Sequence, residues 1–387
     1  MAFRRVNYPG KFAIQQRVLT PYRAAFFDML AQSCEGGLSV CAGLPRPEES
    51  IAITNLLRVA RYSFARNLHF FRGSLYLCYQ RGLLRWLSDW NPDALIVEAN
   101  PRYLSTPAAV RWMKRRGRPV LGWGLGARPP SVSPHFFKKW GERQRGSLRF
   151  SFLRRFDALL TYSRRGADEY AALGFPADKI FVAPNAAAPR PTRPAPSRPP
   201  VFDGHPNVLF VGRLQARKRV DLLLQACAAL PENLRPRLVI VGDGPERAAL
   251  ESLAKAIYPS AEFPGAKHGA ELAAYFSTAD LFVLPGTGGL AVHEAMSYGL
   301  PVIMGQGDGT NDDLVRSDNG WQLQGPETLA EVQLEALSDV SRLRAMGAES
   351  YRIVTEEVNL EKMVEIFIEA TNRVKSNNPD IVLPRKT

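Results

Sequence analysis

Arg213 follows Gly212 at the end of the apolar run NVLFV, and Lys218 comes five residues later in GRLQARKRVD. A glycine leaving a strand lets the chain turn sharply, and two long cations can then reach over the sheet edge to an anion. Taken alone, Arg217, Lys218 and Arg219 read equally well as the solvated start of a helix. A second cluster is PGTGGLAVHEAMSYGLPVI, residues 285–303. Gly286, Gly288 and Gly289 form a loop after a buried strand. The following LAVHEAM opens a helix whose unpaired first amides and positive dipole end suit a diphosphate. Glu294 falls about one turn inside that helix, where a carboxylate can take two ribose hydroxyls, and Ala291 and Ala295 are small enough to let a ligand approach. The plain alternative is an exposed helix glutamate. Gly242-Asp243-Gly244 after RLVIV departs from GxGxxG and reads as a tight turn, with Asp243 or Pro245 starting the next helix. His293 reads as a packing or surface histidine. Five histidines without HxH or HExxH spacing speak against a metal hydrolase.

Residues with these tasks need strands to end in the right place. The runs VLFV, LVIV and LFVLP are continuously apolar, as strands buried on both faces are, and each ends in Gly or Pro. Before residue 184, FAIQQRVL, GGLSVCAGL, DALIVEA, RPVLGWGLGA, DALLTYS and DKIFVAP alternate with helix-like segments. After residue 206 the alternation repeats. Two doubly wound α/β domains in tandem follow, with ligands expected beyond the carboxyl ends of the strands. Pro184 to Pro206 holds eight prolines and reads as a semi-rigid linker between them. The boundaries are 1–190 and 200–357, with an amphipathic helix at about 358–387 set to pack back on the first domain. A chain of 387 residues suits two cores.

The net charge of +13 is unevenly placed. Residues 1–200 carry 32 Lys+Arg against 12 Asp+Glu, a net of +20, whereas residues 201–387 carry 18 against 25, a net of −7. The basic half calls for an anionic partner. Cys34, Cys41, Cys78 and Cys227 show no CxxC pairing and read as reduced thiols of a cytoplasmic protein. The N-terminus has no signal-like apolar run, and no window offers the roughly 18 uncharged apolar residues of a membrane span.

In combination and order, these motifs resemble the retaining nucleotide-sugar glycosyltransferases of the GT-B architecture, the large family four. SRRGADEYAALGFPADKIFVAPNAA, the Gly-Arg pair with its downstream lysine, VGDGPER, AEFPG and ADLFVLPG to HEAMSYGLPV carry the resemblance across most of residues 155–330. It implies two Rossmann-like domains facing across a cleft, with acceptor on the first and donor on the second. It also implies that Arg213 and Lys218 hold the donor diphosphate and act in catalysis, and that Glu294 takes the ribose. Gly288, Gly289, Leu290 and Ala291 would cover the phosphates, and Gly212, Gly242, Gly265, Ala266 and Gly286 would line the donor site. Base contacts would fall on the loop at Gly265, Ala266 and Lys267. The expected activity is hexosyltransferase-like transfer, with retention, to a lipid-linked or polysaccharide-precursor glycan in bacterial envelope synthesis, without a metal or other cofactor.

One departure stands out. The family's two glutamates are separated by seven residues, and counting back from Glu294 lands on Gly286. Either backbone amides hold the donor sugar instead, or activity is lost and the chain is a non-catalytic scaffold. A sugar-nucleotide epimerase on the same architecture is a third reading. A second departure is Asn185-Ala186-Ala187, where many members have Asn-Gly-Val.

The first half offers acceptor candidates at strand ends: Gln16, Arg17 and Tyr22, then Asn100 and Arg102 beside Glu98, then Trp123, Gly124 and Arg128. Segments 56–87 and 136–156 interleave aromatic residues and leucines with Arg and Lys. That pattern suits a surface helix lying on an anionic membrane, or a core helix with snorkelling arginines. No nucleic-acid-binding motif appears. A peripheral place on the inner face of the cell membrane is the resulting expectation.

Overall fold

A computed structural model of the chain describes residues 6–49, 51–127, 149–305, 313–323, 325 and 329–376. It divides into two compact units, Met1–Asn185 with Leu360–Thr387, and Ala186–Asn359.

In the first unit the strands are β1 (Phe12–Val18), β2 (Leu38–Gly43), β3 (Arg61–Phe64), β4 (Arg66–Phe70), β5 (Leu77–Arg81), β6 (Ala94–Glu98), β7 (Val120–Gly124), β8 (Ala158–Thr161) and β9 (Ile180–Val182). Seven form one sheet in the order β3-β2-β1-β6-β7-β8-β9, and every pair in it is parallel. Its central strands are buried and mostly apolar because helices cover both faces, with Gln15 and Gln16 of β1 as buried polar exceptions. Those helices include α1 (Pro21–Gln32), α2 (Leu83–Trp90), α3 (Thr106–Lys114) and α4 (Arg164–Ala172). Pro21 opens α1, where its fixed φ suits the first turn and its missing N–H costs nothing.

The second unit holds β10 (Asn207–Val211), β11 (Arg237–Val241), β12 (Glu262–Gly265), β13 (Leu281–Leu284), β14 (Val302–Met304) and β15 (Gly320–Gln322). Around them lie α5 (Val220–Ala229), α6 (Arg247–Ile257), α7 (Gly269–Thr278), α8 (Leu290–Ser297), α9 (Leu329–Ser338) and α10 (Val340–Glu356). The sheet order is β12-β11-β10-β13-β14-β15, all parallel. Both sheets therefore have the doubly wound order of a dinucleotide-type fold. The order reverses at β1 and β6 in one unit and at β10 and β13 in the other, which opens a crevice at each reversal. The last helix, α11 (Leu360–Ser376), belongs to the first unit: its Phe367 meets Phe26 of α1 and Trp123 of β7 edge-on, each at 4.9 Å.

Two sequence expectations need correction. Residues 56–87 are not a surface helix: they carry β3, the antiparallel hairpin β4–β5 and only the start of α2. Alternation with a period of two in RNLHF and LCYQR decides this, and aromatic-basic composition conceals it. Of segment 136–156, residues 136–148 lie outside the described residues. In the remainder Phe152, Leu153 and Phe156 are buried in the core while Arg154 and Arg155 are exposed, which is the snorkelling alternative. The proline-rich stretch, expected as a semi-rigid linker, is also bonded along the second unit. Arg198 donates to the carbonyls of Phe276 (3.0 Å), Ala279 (2.7 Å) and Tyr298 (2.8 Å), the backbone of Pro199 accepts from Arg344, and that of Arg193 accepts from Tyr351. The stretch is a strap laid along the second unit.

Candidate functional site

At the reversal point of the second sheet, Gly212 and Gly242 leave the adjacent strands β10 and β11 almost in contact. A Cβ on Gly242, whose φ is +149°, would meet the Gly212 carbonyl oxygen at 1.9 Å, and one on Gly244 would meet that of Leu214 at 2.2 Å. Only glycine allows this approach. The turn is closed by Leu214 N–H to the Asp243 carbonyl at 2.9 Å and by the Asp243 carboxylate accepting from Gly244 N–H at 2.7 Å. Beyond these turns opens a cavity of about 510 Å³ lined by Gly212, Arg213, Gly242, Asp243, Gly244, Ala266, Lys267, His268 and Leu272 with Val211 and Val241. Arg213 is exposed on its wall. Gly265, at φ +83°, bends the chain into the Ala266–His268 side.

The glycine-rich turn after β13 is tied to the segment after β10. Thr287 N–H donates to the Arg217 carbonyl (3.1 Å), Arg217 reaches the Thr287 hydroxyl (3.2 Å), and the Lys218 ammonium donates to the Thr287 carbonyl (2.7 Å). Lys218 is only 9% exposed, so its charge is held in place by the turn it serves. Glycine is obligatory here for a steric reason. A Cβ on Gly286 would meet the Arg217 carbonyl oxygen at 2.1 Å and the Lys218 backbone at 2.6 Å, and one on Gly288, at φ +132°, would meet the Lys218 ammonium at 2.1 Å. Gly289 caps α8, and Leu290 and Ala291 form its first turn, whose N–H groups have no acceptor within the helix. Glu294 stands at the surface of α8, yet partial burial raises its carboxyl above the ordinary range. It is not in the cavity lining. His293 is a packing residue: it is 1% exposed, its Nε2 meets the Val358 carbonyl at 2.7 Å, and burial lowers its pKa.

The structure thus gathers Gly212, Arg213, Gly242 and Ala266 at one cavity, and Lys218, Gly286, Gly288 and Gly289 at a neighbouring turn. Asp243, Gly244, His268 and Leu272 were not singled out from the sequence as ligand-facing. Only the Gly-Asp-Gly turn could have signalled them, and it read as purely structural. Among the described residues no cluster of three or more His, Cys, Asp or Glu could hold a metal.

At the reversal point of the first sheet, the carboxyl ends of β1 and β6 carry a polar cluster. Arg17 N–H donates to the Glu98 carboxylate at 2.5 Å, and the Arg17 guanidinium pairs with Glu49 at 2.7 Å. Burial pushes the Glu98 carboxyl up to about 7, against the pull of the Arg17 amide and of the Arg17 and Arg23 charges. Gln16 is buried and its carbonyl accepts from Gln80 at 3.0 Å. Asn100 caps its own loop by accepting from Arg102 N–H at 3.1 Å, Arg102 is exposed, and Tyr22 is partly exposed under the Arg23 guanidinium. Gly124 has no room for a side chain, since a Cβ there would meet the Tyr170 hydroxyl at 2.5 Å. Trp123 corrects the expectation made for it. At 2% exposure it is a core residue between α1 and α11, because alternation along β7 turns its ring inward. Arg128 lies outside the described residues.

Comparison with known proteins agrees with this geometry. Residues 195–353 match the family of glycosyl transferases group 1, and residues 17–186 match the glycosyl transferase 4-like domain. A GDP-mannose-dependent alpha-mannosyltransferase of Mycolicibacterium smegmatis is 43% identical over 167 residues, 40% of this chain and 42% of that protein. The sulfoquinovosyl transferase SQD2 of Arabidopsis thaliana is 37% identical over 118 residues, 30% of this chain and 22% of that protein. In each case the matched stretch spans less than half of the curated relative. Among solved structures, Anabaena HepE in complex with UDP superposes with a TM-score of 0.62 at 15% identity, covering 96% of this chain and 99% of that one, a likeness of fold. Each unit is thus similar to a family of its own, the second to the glycosyl transferases group 1 and the first to the glycosyl transferase 4-like domain, and the chain has the GT-B fold with two Rossmann-like units.

Proposed function

We propose that the protein transfers a sugar, with retention at the anomeric carbon, from a nucleotide-sugar donor on the second unit to a lipid-linked or polysaccharide-precursor glycan on the first. The observation that carries this reading is the cation-walled cavity beside a glycine turn locked to Lys218 at the start of α8. A diphosphate leaving group gains charge in the transition state, and fixed cations and helix amides stabilise it there more than in the ground state. Arg213 and Lys218 act on the diphosphate and Glu294 on the ribose, and the reaction runs without a divalent metal. That a relative uses GDP-mannose and a fold neighbour holds UDP supports a nucleoside diphosphate as the ligand class. The basic first unit attaches the protein to an anionic membrane surface. A thermal-shift panel of nucleoside diphosphates and nucleotide sugars tests the donor site, since a ligand of the folded state raises its stability. The anomeric configuration of the product, read by NMR with chelator present, tests retention and independence of metal.

Gly286 favours a second reading, a scaffold that has kept the fold and lost turnover. Consumption of any nucleotide sugar with a lipid-extract acceptor rejects it, and interconversion of the nucleotide sugar without acceptor would indicate an epimerase.

A further inference from the structure

The hairpin β4–β5 has two unlike faces. Its register pairs Arg66 with Arg81, Asn67 with Gln80, Leu68 with Tyr79, His69 with Cys78 and Phe70 with Leu77. Directly opposed residues share a face, so Asn67, His69, Cys78 and Gln80 form one side. That side is bonded to the body of the first unit: Asn67 donates to the Arg17 and Leu44 carbonyls (2.7 and 2.9 Å), Gln80 to the Gln16 carbonyl (3.0 Å), and His69 meets the Leu44 carbonyl (3.2 Å). The other side begins with the Arg66–Arg81 pair and turns wholly apolar toward the tip.

Phe70 and Tyr79 are each 43% exposed, and in the connecting turn Phe71 is 67% and Leu75 72% exposed. Phe71 also holds a left-handed backbone at φ +57°, an uncommon conformation for a bulky residue, of the kind found where function demands a particular presentation. Two arginines directly across a strand pair repel each other unless an anion lies between them. Between Glu49 and Asp89 the chain carries six exposed arginines and no carboxylate; Arg72 lies 3.6 Å from Glu48 and Arg85 3.7 Å from Asp89 at the ends of the interval.

We propose that this hairpin is the element by which the first unit enters an anionic phospholipid bilayer. Phe70, Phe71 and Leu75 sit at the headgroup and acyl boundary, and Arg66, Arg72 and Arg81 lie against lipid phosphates. The charge pattern selects the occupant: an apolar tip backed by the exposed Arg66 and Arg81, with Arg72 86% exposed and 3.6 Å from Glu48, matches an interface that is oily inside and negative outside. The proposal rests on the membrane-attachment part of the reading above and is independent of sugar transfer.

The full chain is tested on phosphatidylcholine vesicles with and without phosphatidylglycerol. Wild type partitions to the anionic vesicles, and F70S/F71S/L75S loses roughly tenfold or more in affinity. The triple variant keeps the wild-type melting temperature and nucleotide-induced shift, because the hairpin's bonded side is untouched. All four native cysteines are buried, so F71C takes an environment-sensitive fluorophore at a single site. Its emission shifts to the blue on anionic vesicles and is quenched by brominated acyl chains. Wild-type binding retained in full by the triple variant, or a dye that stays in water on bound vesicles, overturns the hairpin proposal and leaves membrane attachment standing. Failure of wild type to bind either vesicle overturns both. A dimer in solution that the triple variant abolishes assigns the face to a second copy instead and also overturns the proposal.

Discussion

At the scale of single residues, Gly286 carries the sharpest constraint. The absence of the family's first glutamate was legible from spacing alone, but not the reason a side chain cannot return: the Arg217 carbonyl and Lys218 backbone occupy its place. Gly286→Glu should therefore not restore a donor contact. It should cost about 1–3 kcal/mol, as overpacking does, and part Thr287 from Arg217 and Lys218. Denaturant midpoints and nucleoside diphosphate affinity should both fall, and a gain in affinity would show that the turn yields. Glu294→Ala should leave stability close to wild type and lower kcat/KM roughly a hundredfold, two hydrogen bonds to a charged group being worth about 3 kcal/mol. Glu98 gives a pH signature. Its folded pKa of about 7 exceeds the ordinary 4.5, so the folded state binds the proton more tightly. Stability is highest below the unfolded value, falls as pH rises through that interval and flattens above about 7. By linkage the fall is at most about 3 kcal/mol. Denaturation at several pH values should show that slope in wild type and not in Glu98→Gln; equal slopes would mean that Glu98 ionises freely.

Elements were legible where burial made the pattern simple. The central strands of both sheets announced themselves as mostly apolar runs ending in Gly, Pro or a polar residue, as a parallel sheet covered on both faces demands, whereas the edge strand β3, RYSF, did not. Hairpin β4–β5 escaped because five-residue strands among arginines read as helix until their register is known. Trp123 escaped because which side of β7 faces inward depends on α1 and α11, which are remote in sequence. The strap around Arg198 escaped because composition reports that prolines cannot join a helix or central strand, and says nothing about where they lie. Arg198 binds carbonyls near the carboxyl ends of both α7 and α8, groups no helix can satisfy internally, and places a cation where both dipoles favour one. Arg198→Ala should destabilise the second unit by about 2–4 kcal/mol, and Arg198→Lys should recover only part, since one ammonium cannot reproduce the guanidinium fork. Hydrogen exchange should quicken in the last turns of α7 and α8 and proteolysis should open residues 190–202; unchanged protection in Arg198→Ala would show the strap to be held by its prolines alone.

At the scale of the whole chain, charge separates two kinds of anion binding. Among the described residues of 1–200 most of the arginines are exposed, and the attraction of such charges weakens as salt shortens the screening length from about 10 Å at 0.1 M to about 3 Å at 1 M. Residues 201–387, at −7, repel anions in general, so a diphosphate must be met by placed groups: Lys218, buried against its turn, and Arg213 on a cavity wall. Two salt titrations should therefore diverge. Attachment to anionic vesicles should fall steeply with added salt, whereas nucleoside diphosphate affinity should fall far less, because short-range contacts to fixed donors are poorly screened. Vesicle binding should also level off above zero, since burial of Phe70, Phe71 and Leu75 involves no charge, and that residue of binding should vanish in F70S/F71S/L75S. Parallel loss of both affinities would mean that one diffuse field attracts membrane and nucleotide alike, and that the arrangement of Lys218 and Arg213 adds nothing specific.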